Sequence, residues 1–191
     1  IPSSVKKICD RAFKNCKNLK TLNFLENSEL NTIGNESFSG TSIKTIIIPS
    51  RVTVIGKKAF SKAESLKSVI FSKDSNFNII ENKAFEMTNI EVIYIPSKVR
   101  IIRTEVFHGC SSLKKVKFAH DSNIRTMRNA FIDSRIQSIS IPSNIKKDVD
   151  HCIQSCGSLK SVEFLGDDIS IDFLTLYKCW DISIISFPNA Y

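Results

Sequence analysis

Leu66-Lys67-Ser68-Val69-Ile70-Phe71 reads apolar-x-x-apolar-x-apolar, and the chain spells that pattern eight times. The other copies run Leu19-Leu22-Phe24, Ile43-Ile46-Ile48, Ile90-Ile93-Ile95, Leu113-Val116-Phe118, Ile136-Ile139-Ile141, Leu159-Val162-Phe164 and Ile182-Ile185-Phe187. From Phe24 to Phe187 the last anchors are spaced 24, 23, 24, 23, 23, 23 and 23 residues apart. Few folds need three apolar positions to recur so evenly. A chain that winds through one short coil after another does, because each coil must return its apolar side chains to the same place.

A period in the twenties on an L-x-x-L-x-L core marks a leucine-rich-repeat solenoid. The sequence therefore predicts a right-handed solenoid of the α/β class with eight coils of 23–24 residues. The anchors would form a concave parallel β-sheet, and the convex side short helical or 3-10 turns, too brief to stand alone. Coils touch only their neighbours, so residues 1–191 read as a single domain whose repeats end at Phe24, Ile48, Phe71, Ile95, Phe118, Ile141, Phe164 and Phe187. The chain opens on Ile1-Pro2-Ser3-Ser4 and stops just past Phe187-Pro188, mid-pattern at both ends, as a fragment of a longer protein would.

Odd repeats begin at Pro2, Pro49, Pro96 and Pro142, where a fixed φ and a missing N–H end the strand. Even repeats place Glu26-Asn27-Ser28, Lys73-Asp74-Ser75, His120-Asp121-Ser122 and Gly166-Asp167-Asp168 at that corner, where Asx turns by Asn and Asp are expected. An apolar pair follows, such as Val52 and Ile55, and then a phenylalanine: Phe13, Phe38, Phe60, Phe85, Phe107 and Phe131. Six phenylalanines at one register predict an aromatic spine on the convex side. Repeats seven and eight are degenerate, with Asp148 and Ile153 off pattern and Phe173, Leu174, Tyr177 and Trp180 in place of the Ala-Phe pair, and read as a cap, with a distinct binding element as the alternative.

The stretch Ile48-Pro49-Ser50-Arg51-Val52-Thr53-Val54-Ile55-Gly56-Lys57-Lys58-Ala59-Phe60, and Pro96-Ser97-Lys98-Val99 through Cys110 to Phe118, resemble the BspA-like leucine-rich repeats. That family occurs in surface proteins of bacteria and parasitic protozoa. The resemblance implies cell-surface or secreted display and non-enzymatic adhesion to host or extracellular-matrix proteins, in the sense of a host-parasite interaction. Function is a property of sites and not of folds, so an intracellular protein-interaction scaffold stays open as the alternative.

Strand alternation should turn the residues flanking the middle anchor outward. Ile47, Ile70 and Tyr94 then fall on consecutive strands with Val92 beside them and Lys115 and Lys117 on the next. An apolar cluster on an otherwise Ser- and Thr-rich face suits a protein-binding surface, although Ile and Tyr also simply favour strands. Lys20, Lys44, Lys67, Lys114 and Lys160 directly follow the first anchor and would line one basic border of the sheet, open to an acidic glycan or merely solvated. The net charge of +8 is spread through every repeat without a nucleic-acid motif, so no nucleic-acid partner is expected. No apolar run reaches the ~18 residues of a membrane span.

Cys16, Cys110, Cys156 and Cys179 stand where other repeats have Gly40 and Ala63, which describes a tight buried site for a small side chain. Cys156 and Cys179 fall on adjacent coils, in disulfide reach if their side chains align. His151-Cys152-x-x-x-Cys156 with Asp148 and Asp150 lacks paired zinc spacing, so no metal and no cofactor are expected. His108, His120 and His151 occupy different parts of the coil, and nothing converges on a catalytic constellation. Asn35-Glu36-Ser37 is the sole glycosylation sequon.

Overall fold

A computed structural model describes residues 1–188 other than 73, 146–148, 150, 167–170, 172 and 173. Each coil contributes to a stack of parallel strands. Seven longer strands come from the anchor triplets: β3 (Thr45–Ile48), β5 (Ser68–Phe71), β7 (Val92–Ile95), β9 (Lys115–Phe118), β10 (Ser138–Ile141), β11 (Ser161–Phe164) and β12 (Ile184–Ser186). Five two-residue strands interleave with them: β1 (Lys7–Ile8), β2 (Thr32–Ile33), β4 (Val54–Ile55), β6 (Ile79–Ile80) and β8 (Ile101–Ile102). The result is a parallel-strand solenoid of about seven turns. Leu19–Phe24, the first of the eight expected copies, forms no strand.

The short strands pair as β1-β2-β4-β6-β8 with Ile8, Ile33, Ile55, Ile80 and Ile102 in register, all buried. This second ladder runs through the position that in the sequence is only an apolar pair, since two residues show no alternation to read. The long strands, expected as one continuous sheet, divide into β3-β5 and β7-β9-β10-β11-β12. The missing steps have a source in the spacing. Just before each strand, one backbone N–H donates to the coil before it. That bond is 2.9 Å for Lys67 to Lys44, Lys114 to Glu91, Gln137 to Lys114, Lys160 to Gln137 and Ser183 to Lys160. It stretches to 3.4 Å for Lys44 to Lys20 and Glu91 to Lys67. Those are the two 24-residue steps. A coil one residue longer cannot keep both its turn and its strand in step with the coil before it, so the strand ladder lapses there.

The phenylalanine spine forms as a stack. Ring centroids step 5.2, 5.2, 5.4, 5.6 and 5.2 Å from Phe13 through Phe38, Phe60, Phe85 and Phe107 to Phe131. All but Phe13 are buried. The turns around them are not helical, and no helix occurs among the described residues. The backbone shows why. Two residues before and two after each phenylalanine the chain is left-handed, as at Lys58 and Lys62 around Phe60 (φ 55° and 59°) or Glu105 and Gly109 around Phe107 (φ 58° and 66°). A helix cannot propagate through that alternation. The phenylalanine N–H groups instead donate across to the next coil, Phe38 to Ala59 O and Phe60 to Ala84 O at 2.8 Å each.

The corners divide as the proline superperiod implies, with a different residue capping the even ones. In odd coils the N–H three residues after proline closes the turn, as in Val52 to Pro49 O at 3.1 Å. In even coils the buried hydroxyls of Ser28, Ser75 and Ser122 accept from the N–H two residues on, while Asn27 and Asp74 take the left-handed position and do not themselves cap. Asp167 lies outside the described residues, as do Asp148 and Phe173 of the degenerate repeats. Ile153 takes the spine position after Phe131 and is fully buried. In the last coil β12 pairs with β11, Phe187 stacks on Phe164 at 5.2 Å, and Ile184, Ile185, Phe187 and Trp180 are exposed.

Candidate functional site on the long-strand face

Alternation along the long strands buries Ile46, Ile48, Ile93, Ile95 and Val116 and exposes their neighbours. Ile47, Ile70, Val92 and Tyr94 are 55%, 47%, 46% and 52% exposed, values that put about half of each side chain in water. Ile47 pairs in register with Ile70, Val92 with Lys115 and Tyr94 with Lys117. The step from Ile70 to Tyr94 crosses the lapse between β5 and β7, so the apolar cluster spans two ladders. Lys115 and Lys117 are exposed and have no ion-pair partner among the described residues.

The lysines that follow the first anchor, Lys20, Lys44, Lys67, Lys114 and Lys160, are all exposed and joined by the backbone bonds described above. The column is not uniformly basic. Glu91 stands between Lys67 and Lys114, and Gln137 between Lys114 and Lys160.

Two hollows flank the face where the strands run into their corners. One, about 640 Å³, is lined by Leu22, Phe24, Leu25, Glu26, Ile47 and Arg51. The other, about 490 Å³, has Tyr94 and Leu165 as apolar walls and Lys117, His120, Asp121 and Ser140 as polar ones. His120 Nδ1 lies 3.6 Å from Asp121 Oδ1, and Ser140 Oγ donates to Glu163 Oε2 at 2.6 Å. Both hollows were invisible in the sequence, because they depend on how alternate corners pack.

On the turn side, the registers just after Phe85 and Phe107 bring together residues the sequence left unconnected. Ser61 Oγ donates to Glu86 Oε2 at 3.0 Å, and His108 lies 3.7 Å from Glu86 through Nδ1 and 3.3 Å from Asp133 through Nε2. Among the described residues Glu86, Glu105 and His108 are one set whose ligand atoms fall within 4.8 Å of one another. Lys83 Nζ sits 2.9 Å from Glu105 and 3.4 Å from Glu86, so an ammonium already bridges the two carboxylates. The hydrogen bond to Glu105 comes first among the causes that raise the Lys83 pKa. At the N-terminal end the hydrogen bond from Lys14, with Arg11 assisting, holds Glu36 below the usual carboxylate range.

Cys110, Cys156 and Cys179 are buried, as the small-residue register implies, but Cys16 in the first coil is exposed. Cys156 Sγ donates to Phe131 O at 3.1 Å and Cys179 Sγ to Ile153 O at 3.2 Å, each thiol tied to its own carbonyl. Burial pushes the Cys110 thiol up to about 11 and the Cys156 thiol up to about 12. The side-chain amide of the sequon asparagine is committed on both sides: Asn35 Nδ2 donates to Asp10 Oδ2 at 3.1 Å, and Oδ1 accepts from Lys57 N at 2.8 Å. Among the described residues no helix is long and apolar enough to cross a membrane.

A family model described as BspA type Leucine rich repeat region matches the chain in six copies, over residues 1–114 and 78–191. The pneumococcal vaccine antigen PcpA has a solved structure 25% identical to this chain, with a TM-score of 0.71 over 97% of this chain and 49% of its own. A leucine-rich repeat protein from Bacteroides ovatus is also 25% identical, with a TM-score of 0.72 over 98% of this chain and 53% of its own. The chain spans about half the length of these two proteins. A T. pallidum leucine-rich repeat protein, 16% identical over 85% of this chain and 69% of its own, shares the fold at a TM-score of 0.52. None of the curated proteins compared matches the chain.

Proposed function

Because the chain belongs to the BspA-type leucine-rich-repeat family, we propose that it is a non-enzymatic protein-recognition module, displayed at a cell surface, that adheres to host or matrix proteins through the long-strand face. The observation that carries this reading is the exposed cluster of Ile47, Ile70, Val92 and Tyr94 bordered by Lys115 and Lys117. Aliphatic and aromatic side chains held rigidly on strands offer contact area at small entropic cost, and burying them on association is favourable. Water-exposed apolar clusters of this kind are uncommon without an interaction to explain them. The resemblance to a pneumococcal vaccine antigen is consistent with surface display.

The test substitutes Ile70→Ser and Tyr94→Ser together, both exposed and so compatible with the fold. Immobilised matrix and plasma proteins should capture the parent chain and lose at least tenfold in affinity for the double variant, with the far-UV circular dichroism unchanged. Equal capture of the two would remove this face from the account. Antibody labelling of intact cells that produce the whole protein tests display separately.

A further inference from the structure

We infer that the hollow between Tyr94 and Leu165 is an anion-recognition pocket, and that the face takes an extended partner segment carrying a carboxylate two residues from an apolar side chain. This deepens the proposed recognition function and rests on it. Four features of the pocket converge. Its volume, about 490 Å³, is in the range of ligand-binding clefts. Its walls are one aromatic and one aliphatic side chain, both about half exposed. Lys117 lines it as well, paired in register with Tyr94. Lys115 and Lys117 have no carboxylate partner among the described residues, so an incoming anion displaces no internal ion pair.

The surrounding charges set where that anion can sit. Asp121 on the rim is already faced by His120 at 3.6 Å. Glu163 is held by Ser140 two strands beyond Lys117 and makes that side repulsive to a carboxylate. The favourable position is therefore over the coils of Tyr94 and Lys117. Charge complementarity points the same way on a larger scale, since the chain carries +8 and Lys114, Lys115 and Lys117 are exposed on one coil.

Strand spacing then fixes the ligand pattern. Lys117 lies two strands from Ile70, about 10 Å at ~4.8 Å per step. An extended chain laid across the strands rises about 3.3 Å per residue. An apolar side chain resting between Ile70 and Tyr94 lies about 7 Å from Lys117 along the face, so the side chain two residues along, turned to the same face by the alternation of an extended chain, sits above Lys117. The occupant is an acidic, extended protein segment reading apolar-x-acidic.

The experiment uses residues 1–191 and fluorescent peptides of about twelve residues, long enough to cross the face. One carries leucine and, two residues on, glutamate. A second replaces the glutamate with glutamine, and a third moves it one residue further along, onto the opposite side of the extended chain. The glutamate peptide should bind at least tenfold tighter than either control at low salt, and the difference should shrink as salt rises. Lys117→Gln should abolish that preference, so that the glutamate and glutamine peptides bind alike. Equal binding of the three peptides, a preference that survives Lys117→Gln, or no measurable binding of any peptide would overturn the inference. The face and the pocket can fail separately. If Ile70→Ser with Tyr94→Ser weakens capture of a whole matrix protein and Lys117→Gln does not, the face stands and the pocket falls.

Discussion

Phe60→Ala removes an interior ring, the third of six in the aromatic stack, and its cost can be worked from the neighbours. Phe60 is fully buried, with ring centroids 5.2 Å from Phe38 and 5.4 Å from Phe85. Truncating a buried phenylalanine costs about 3–5 kcal/mol in lost transfer energy and cavity formation. Two stacked partners, worth about 0.5–1.5 kcal/mol each beyond area burial, place this site in the upper part of that range or just above it, about 4–6 kcal/mol. The same change at Phe13, half-buried and stacked on one side only, should cost about 1–2 kcal/mol. Phe60→Leu keeps most of the volume and should cost about 1–2 kcal/mol. Urea unfolding followed by circular dichroism measures all three, and hydrogen exchange around the third and fourth coils shows whether the loss stays local in a stacked array. At a typical m of about 2 kcal/mol/M, the Phe60→Ala midpoint should fall by about 2–3 M. If Phe13→Ala and Phe60→Ala cost the same, or Phe60→Ala costs less than about 1 kcal/mol, the spine is not what holds the coils together.

The stretched bonds at the two longer coils predict that the Lys44 and Glu91 amides exchange faster than those of Lys67, Lys114, Gln137 and Lys160; uniform protection across the column would refute the link between coil length and ladder continuity. The ion pairs set two pH limits. A raised Lys83 pKa means its contribution is fully present below the ordinary lysine value of about 10.4 and is lost as pH climbs above it. A lowered Glu36 pKa means its contribution is present above about 4.3 and is lost as pH falls below it. Urea midpoints should therefore plateau between those values, and Lys83→Met should flatten the alkaline limb while Glu36→Gln flattens the acid one. Iodoacetamide at pH 8 should modify Cys9 and Cys16 in the folded chain and reach Cys110 and Cys156 only after denaturation, as read by peptide mass spectrometry.

Read from the residues alone, the chain already declares its architecture. Every long strand β3, β5, β7, β9, β10, β11 and β12 falls on an anchor triplet, and the phenylalanines stack at the register their spacing demands. Periodicity is a local property of the chain, and burial enforces it coil by coil, so it survives into the fold. Even the lapses in the sheet follow the two 24-residue spacings. The outward positions of Ile47, Ile70 and Tyr94 are legible for the same reason, since alternation along a strand is fixed by the pleat.

What the sequence leaves open is whatever depends on contacts between coils. The left-handed residues at Lys58 and Lys62 replace a helical turn because their neighbours' N–H groups are satisfied by the next coil, and no window of sequence shows that coil. The Glu86–His108–Asp133 contacts and the hollow beside Tyr94 join side chains more than twenty residues apart. Spacing determined that the chain would coil and which side chains would face out. Stacking decided which of those side chains meet, because distance in space between coils is set by packing and not by position along the chain.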